Sequence, residues 1–198
     1  MLLLTGAMHA DTVFSENFNS TYGQFDLTTA GQFSAIGGTN VDVVGSNGDA
    51  NAQSFAYLCS GPESGNCVDM SGTGGDSSGN LDLTTSLNLA PGTYYLSFDL
   101  IGSQRGSTTE TEVLFGSYDQ TFTLDSGDLT SGVVTNAAIT VTGGPTQLQF
   151  IDLSGNDNVG SVLDNITITT ATPEPGSLLL LATGLLGTAG ALRRKFLA

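Results

Sequence analysis

Two carboxylates interrupt apolar rows. In segment 12–18, Phe14, Glu16 and Phe18 fall on one face of an alternating strand, and in 161–170 Val162, Asp164, Ile166 and Ile168 do the same. An ionised carboxylate among apolar side chains is costly unless it is paired, protonated or metal-bound. First and last strands often lie side by side in sandwich folds, so Glu16 and Asp164 are expected to converge. Calcium, a hard cation that takes carboxylate and carbonyl oxygens, fits that pair. The other assignment is that each acid caps backbone N–H groups near a strand end. Asp152 and the run Asn156-Asp157-Asn158 offer a second oxygen-rich loop, without EF-hand spacing, and read first as a solvated turn.

The remaining chemistry is sparse. Residues 11–172 hold 18 acids and one base, Arg105, a formal charge of −17, and contain no Lys and no His. Arg105 is expected to pair with a nearby acid such as Asp99 or Glu110. A Ser-His-Asp triad, a His-ligated zinc site and a Schiff-base or P-loop lysine are all excluded from this stretch. So is neutralisation of a row of phosphates, and no nucleic-acid partner is expected. A glycoside hydrolase needs only two carboxylates, but no acid pair has a diagnostic context. Tyr22, Tyr57 and Tyr118 could stack on sugar rings, although core or half-buried strand positions are the simpler assignment. There is no Trp. Cys59 and Cys67, the only cysteines, flank a Gly/Pro loop and in an exported chain are most simply a disulfide.

The elements that must carry these residues are strands. Tyr94, Leu96, Phe98 and Leu100 alternate with polar residues, and Tyr118, Gln120, Phe122 and Leu124 alternate with Asp119, Thr121 and Thr123. Further strands are expected at 12–18, 31–36, 41–44, 54–58, 81–89, 110–115, 134–141, 146–152 and 161–170. No helical stripe interrupts 11–172. The fold class is all-β: an antiparallel, jelly-roll-like β-sandwich over 11–171.

The two ends carry addresses. Residues 1–10 form a short apolar run ending in Ala10, expected to be a signal peptide cleaved there, and a start assigned too far downstream would explain its missing basic residues. At the other end Pro173, Glu174 and Pro175 mark a linker, 172–176. Residues 177–192 carry no charge, and 193–198 open with Arg193, Arg194 and Lys195. Sixteen residues rise about 24 Å as a helix, a little short of a bilayer core of about 30 Å. A single transmembrane helix with its bases held cytoplasmic and the acidic body outside is expected.

This tail resembles the PEP-CTERM sorting signal, also described as the C-terminal domain of some ice-binding proteins. The resemblance implies an exported precursor anchored in the inner membrane with its body in the periplasm. An exosortase-type enzyme would then process it and send it to the envelope surface or outside the cell. The body resembles other PEP-CTERM-anchored proteins with carbohydrate-binding-module-like or galactose-binding-like sandwiches. The matching stretches are Ser15–Phe18, Cys67–Met70, Leu100–Gly106 and Gly160–Ile166. Related modules carry a structural calcium at positions approximately matching Glu16 and Asp164. The implied function is a non-catalytic surface or extracellular protein that binds or organises extracellular polysaccharide. The alternatives are a glycoside hydrolase or an ice-binding protein. Thr167-Ile168-Thr169 is a lone T-x-T unit and argues little for the last.

Overall fold

The computed structural model describes residues 10–60, 65–74, 79–84, 86–129, 134–155 and 158–171. Residues Thr12–Thr170 constitute a compact unit. The signal-peptide residues 1–9, the Pro173–Pro175 motif, the apolar run 177–192 and the bases Arg193, Arg194 and Lys195 lie outside the described residues. Among the described residues no helix is long and apolar enough to cross a membrane.

Two antiparallel sheets form the body. In the first, β12 (Val134–Val141), β9 (Gly92–Ile101), β15 (Val162–Thr170), β6 (Asn66–Asp69), β5 (Val41–Gly45) and β2 (Gln24–Leu27) lie side by side, and β1 (Thr12–Glu16) also pairs with β15. The second has the order β11 (Tyr118–Leu124), β10 (Thr109–Phe115), β14 (Leu148–Asp152), β7 (Asn80–Leu83), β4 (Phe33–Ala35), β3 (Thr29–Ala30). A small ribbon joins β8 (Leu87–Leu89) to β13 (Gly144–Thr146).

The apolar faces of the two sheets meet in one core. Phe150 of the second sheet packs edge-on against Phe98 of the first at 5.3 Å between ring centroids and against Phe33 at 5.9 Å. Phe33 in turn takes the edge of Phe14 at 5.9 Å. A second cluster, Val44, Leu58, Cys67, Ile101 and Val162, lies on the other face of the seven-stranded sheet. It is partly covered by α1 (Ala50–Ser54) and a 3-10 turn at Ala56–Leu58.

That cover explains where the expected strands depart from the observed ones. The strand expected at 54–58 is instead the end of α1 and the 3-10 turn. Asp49 accepts the Ala52 N–H at 2.8 Å, which caps the helix and starts it where alternation alone suggested a strand. β6 was not foreseen because all four of its residues are buried. A strand covered on both faces loses the polar alternation that reveals strands in sequence. The expected strands 81–89 and 146–152 each divide, β7 and β14 joining the second sheet and β8 and β13 forming the ribbon.

A β-bulge matters most for function. Pairing of β15 with β9 shifts register between Asp164 and Thr167, and Asn165 takes a left-handed φ of 50°. Such an inserted residue reverses which face the following side chains occupy. Leu163, Ile166 and Ile168 belong to the central core, whereas Val162 belongs to the second cluster. Asp164 therefore does not share a face with Ile166 and Ile168. It shares the outer face with Val162.

Candidate functional site

The end of β1 builds the first site. Glu16 is 8% exposed and shares the inward face with Phe14. Its Oε1 accepts the N–H groups of Phe18 at 2.9 Å and Asn17 at 3.1 Å, and its Oε2 accepts the Gln32 N–H at 3.0 Å. Phe18 has φ of 54°, so the chain curls around the carboxylate immediately after the strand. The turn joining β3 to β4 closes on it from the second sheet. A Cβ on Gly31, also at φ 54°, would stand 2.4 Å from Oε2, so this position needs glycine both for conformation and for room. Glu16 thus pins the two sheets together, and Gln32 adds a second link by donating its Nε2–H to the Ser15 carbonyl at 3.0 Å.

A groove of about 560 Å³ opens over this junction. Ser15, Asn17, Ser20, Thr21, Thr29 and Gln32 supply its hydroxyl and amide groups, and Glu16 is the one ionisable side chain in its lining. Thr21 is partly committed, since its hydroxyl accepts the Gly31 N–H at 3.1 Å. The next residue, Tyr22, is 59% exposed. Tyr57 is 55% exposed and stacks on Phe55 at 5.9 Å, while Phe55 packs against Phe25 at 5.5 Å. Tyr118 is half-buried against the core, so of the three tyrosines only Tyr22 and Tyr57 present rings to solvent.

Glu16 and Asp164 face opposite sides of the first sheet, so the expected convergence of the two side chains is not met. The bulge at Asn165 places Asp164 on the outer face of β15, directly opposite Asp99. Its Oδ1 accepts the Asn165 N–H at 2.7 Å, and Asn165 Nδ2 donates to Asp99 at 2.8 Å. Glu16 has both oxygens committed to backbone donors on the other side. Among the described residues no group of three or more His, Cys, Asp or Glu side chains is arranged to hold a metal ion. In the oxygen-rich loop, Asp152 Oδ1 accepts the N–H of Ser154 at 2.9 Å and its hydroxyl as well, closing a local turn. Residues 156 and 157 of that loop lie outside the described residues.

Arg105 pairs with Asp69 rather than with Asp99 or Glu110. Asp69 faces out of β6, 1% exposed, opposite Asp42 on β5 and Val162 on β15. Its Oδ1 also accepts the N–H groups of Gly160 at 3.1 Å and Ser71 at 3.2 Å. Burial pushes the Asp69 carboxyl up to about 8; Arg105 and these two N–H groups favour its charged form, and Asp42 opposes it. Asp42 is raised as well, chiefly by burial, against the hydroxyl and N–H of Thr73 and the N–H of Asp26 that bind it. The sequence reading missed Asp69. The available signal was a count: a body with a single cation and several acids in apolar settings must commit that cation to one of them.

The structure joins Cys59 to Cys67, with Cα atoms 5.6 Å apart. Cys67 is buried in the second cluster, so the bond ties the end of the 3-10 turn to the sheet.

Residues 171–195 match the PEP-CTERM protein-sorting motif. No curated protein sequence matches the chain. Among solved structures, the K1 cleaved adhesin domain of Lys-gingipain from Porphyromonas gingivalis W83 is similar at 16% identity and a TM-score of 0.48, covering 80% of this chain and 98% of that one. The C-terminal CBM6 of LamC, a marine laminarinase from Zobellia galactanivorans, is similar at 12% identity and 0.44, covering 81% and 100%. The CBM22-1 xylan-binding domain of Xyn10C from Paenibacillus barcinonensis is similar at 15% identity and 0.44, covering 85% and 99%.

Proposed function

We propose that this chain is an exported, non-catalytic protein whose sandwich binds extracellular polysaccharide in the groove over Glu16. The sorting motif at 171–195 supports the address: a membrane-processed precursor, acted on by an exosortase-type enzyme and sent to the envelope surface or beyond. The observation that carries the binding role is the groove itself. Sugar recognition takes hydroxyl and amide groups for hydrogen bonds and an aromatic face for the ring; this groove has six such polar side chains, and Tyr22, which follows groove-lining Thr21 in the chain, is exposed.

The rival functions find less support. A glycosidase needs two carboxyl groups about 5–9.5 Å apart across the scissile bond. The groove lining has one, and its two oxygens are held by three backbone N–H groups. An ice-binding face needs ranks of threonine. Across the sheet Thr167 faces Ser15 and Ser97, and Thr169 faces Thr12 and Tyr95, so the T-x-T unit does not extend into ranks.

The test is glycan-array and calorimetric binding with the full chain in detergent. The wild type is expected to retain a polysaccharide class, and Tyr22→Ala to weaken that binding about tenfold, the loss of about 1.4 kcal/mol of stacking. Absence of any glycan binding by the wild type, or equal binding by the variant, would overturn the reading.

A further inference from the structure

Resting on the glycan-binding reading of the groove over Glu16, we infer that the ligand is a neutral, linear polysaccharide whose chain continues from that groove across one end of the second sheet into a second cavity. Strand register carries this. Gln149 of β14 faces Asp82 of β7, and Leu148 faces Phe115 of β10. Just outside the strand, Gln147 therefore falls opposite Thr84 on one side and Gly116 on the other. Thr84 in turn holds Gln32, since its N–H and its hydroxyl both donate to the Gln32 carbonyl, at 3.0 and 2.8 Å. Gln32, Thr84, Gln147 and the turn at Gly116 and Ser117 thus form one row along the end of the sheet. Three strand spacings of about 4.8 Å make that row about 14 Å long. At one end Gln32 lines the groove over Glu16. At the other, Gln147 and Ser117 line a cavity of about 430 Å³. Thr84 and Gln147 are exposed along the way. The β8–β13 ribbon leaves the sheet here but turns inward, with Leu87 packed against the core and Leu89 buried in it.

The two cavities offer the same chemistry. Ser117, Thr140, Thr142, Thr146 and Gln147 bring hydroxyl and amide groups to the second, and exposed Pro145 gives an apolar wall for sugar C–H groups. Ser117 Oγ accepts the Thr140 N–H at 3.3 Å, which leaves its O–H to donate. No ionisable side chain lines this cavity. In the first, Glu16 spends both oxygens on three backbone N–H groups. Asp82, on β7 beside the row, accepts the Gln147 Nε2–H at 3.3 Å. Residues 11–172 carry 18 acids, yet both cavities are lined by neutral donors and acceptors apart from that committed carboxylate. A charged sugar would shed its hydration in either cavity without meeting an opposite charge. An uncharged one finds hydroxyl and amide partners at both ends.

The experiment is calorimetric binding to the full chain in detergent. The probes are cello-, xylo-, manno- and laminari-oligosaccharides, two to eight units long, and the same lengths cut from any polysaccharide the array retains. Hexamers of galacturonic acid and glucosamine are the charged controls. A disaccharide is too short to touch both cavities, and a hexasaccharide reaches both. In the neutral series that binds, the hexamer is expected to bind at least about tenfold more tightly than the trimer, equivalent to about 1.4 kcal/mol. That gap should persist from about 0.1 M to about 1 M salt, over which the Debye length falls from about 10 Å to about 3 Å. Thr140→Val with Thr142→Val keeps the β-branched shapes and removes two hydroxyls from the second cavity. It should bring the hexamer down towards the trimer and leave the trimer unchanged, and unchanged trimer binding also reports an intact fold. Gln147→Ala, at an exposed side chain, should narrow the same gap in a second variant. Affinity that does not grow with length, or a hexamer gap that both variants leave intact, overturns this inference and leaves the glycan reading standing. So does a wild type that retains only charged glycans, or one that binds either charged hexamer more tightly than every neutral one at about 1 M salt. Failure of every oligomer and of every arrayed glycan overturns both.

Discussion

Arg105→Met lowers the stability of the body by about 3–5 kcal/mol above about pH 8, where Asp69 is ionised and the variant leaves a buried carboxylate without its cation. The loss shrinks in acid. Asp69 is raised from 3.8 to about 8 in the folded chain, so the folded state binds the extra proton between those values. The stability tied to this group is complete below about 3.8 and is lost as pH rises through about 8. Asp42, also raised, acts in the same direction. The wild type therefore unfolds at lower urea at pH 8 than at pH 5. In the variant the proton is held more tightly still, so its deficit is small where Asp69 is already neutral and grows as pH rises. Urea midpoints of both proteins across this range check the point. A deficit that is the same in acid and base would mean that Arg105 acts only through packing.

Glu16→Ala costs about 3 kcal/mol, because the N–H groups of Asn17, Phe18 and Gln32 lose their acceptor, and that of Phe18 is buried. For a chain of this size the melting temperature falls by about 6–12 °C. Glu16→Gln recovers little. An amide has one acceptor oxygen, and its NH2 group would face an N–H donor on one side or the other. Calcium chelation should leave the wild-type melting temperature unchanged, since Glu16 answers to backbone donors and Asp164 lies on the opposite face of β15. Thermal melts of the two variants and of chelated wild type measure all three outcomes. Restoration of the wild-type melting temperature in Glu16→Gln, or a melting temperature of the wild type that falls on chelation, would defeat this account of the carboxylate.

Alternation revealed β9, β10, β11 and β15 because each has one face in the core and the other less covered. It failed at β6, buried on both faces, and at 54–58, where a capped helix follows Asp49. The burial of Glu16 and Asp164 followed from phase. Their separation did not, because one left-handed residue, Asn165, reverses the face of everything after it, and nothing in its neighbours marks the bulge. The groove was equally illegible: Ser15 and Thr21 meet Gln32 only because β1 and the β3–β4 turn belong to different sheets.

The sequence by itself determined the all-β class, the sorting tail, the availability of one disulfide, and the shortage of cations in the body. These are properties of composition and of short contiguous runs, which no folding can alter. Only the tertiary structure decided who satisfies the buried acids. Their partners are mostly backbone N–H groups, carried by every non-proline residue alike, and a donor common to the whole chain becomes specific only when bulges, turns and sheet register aim it.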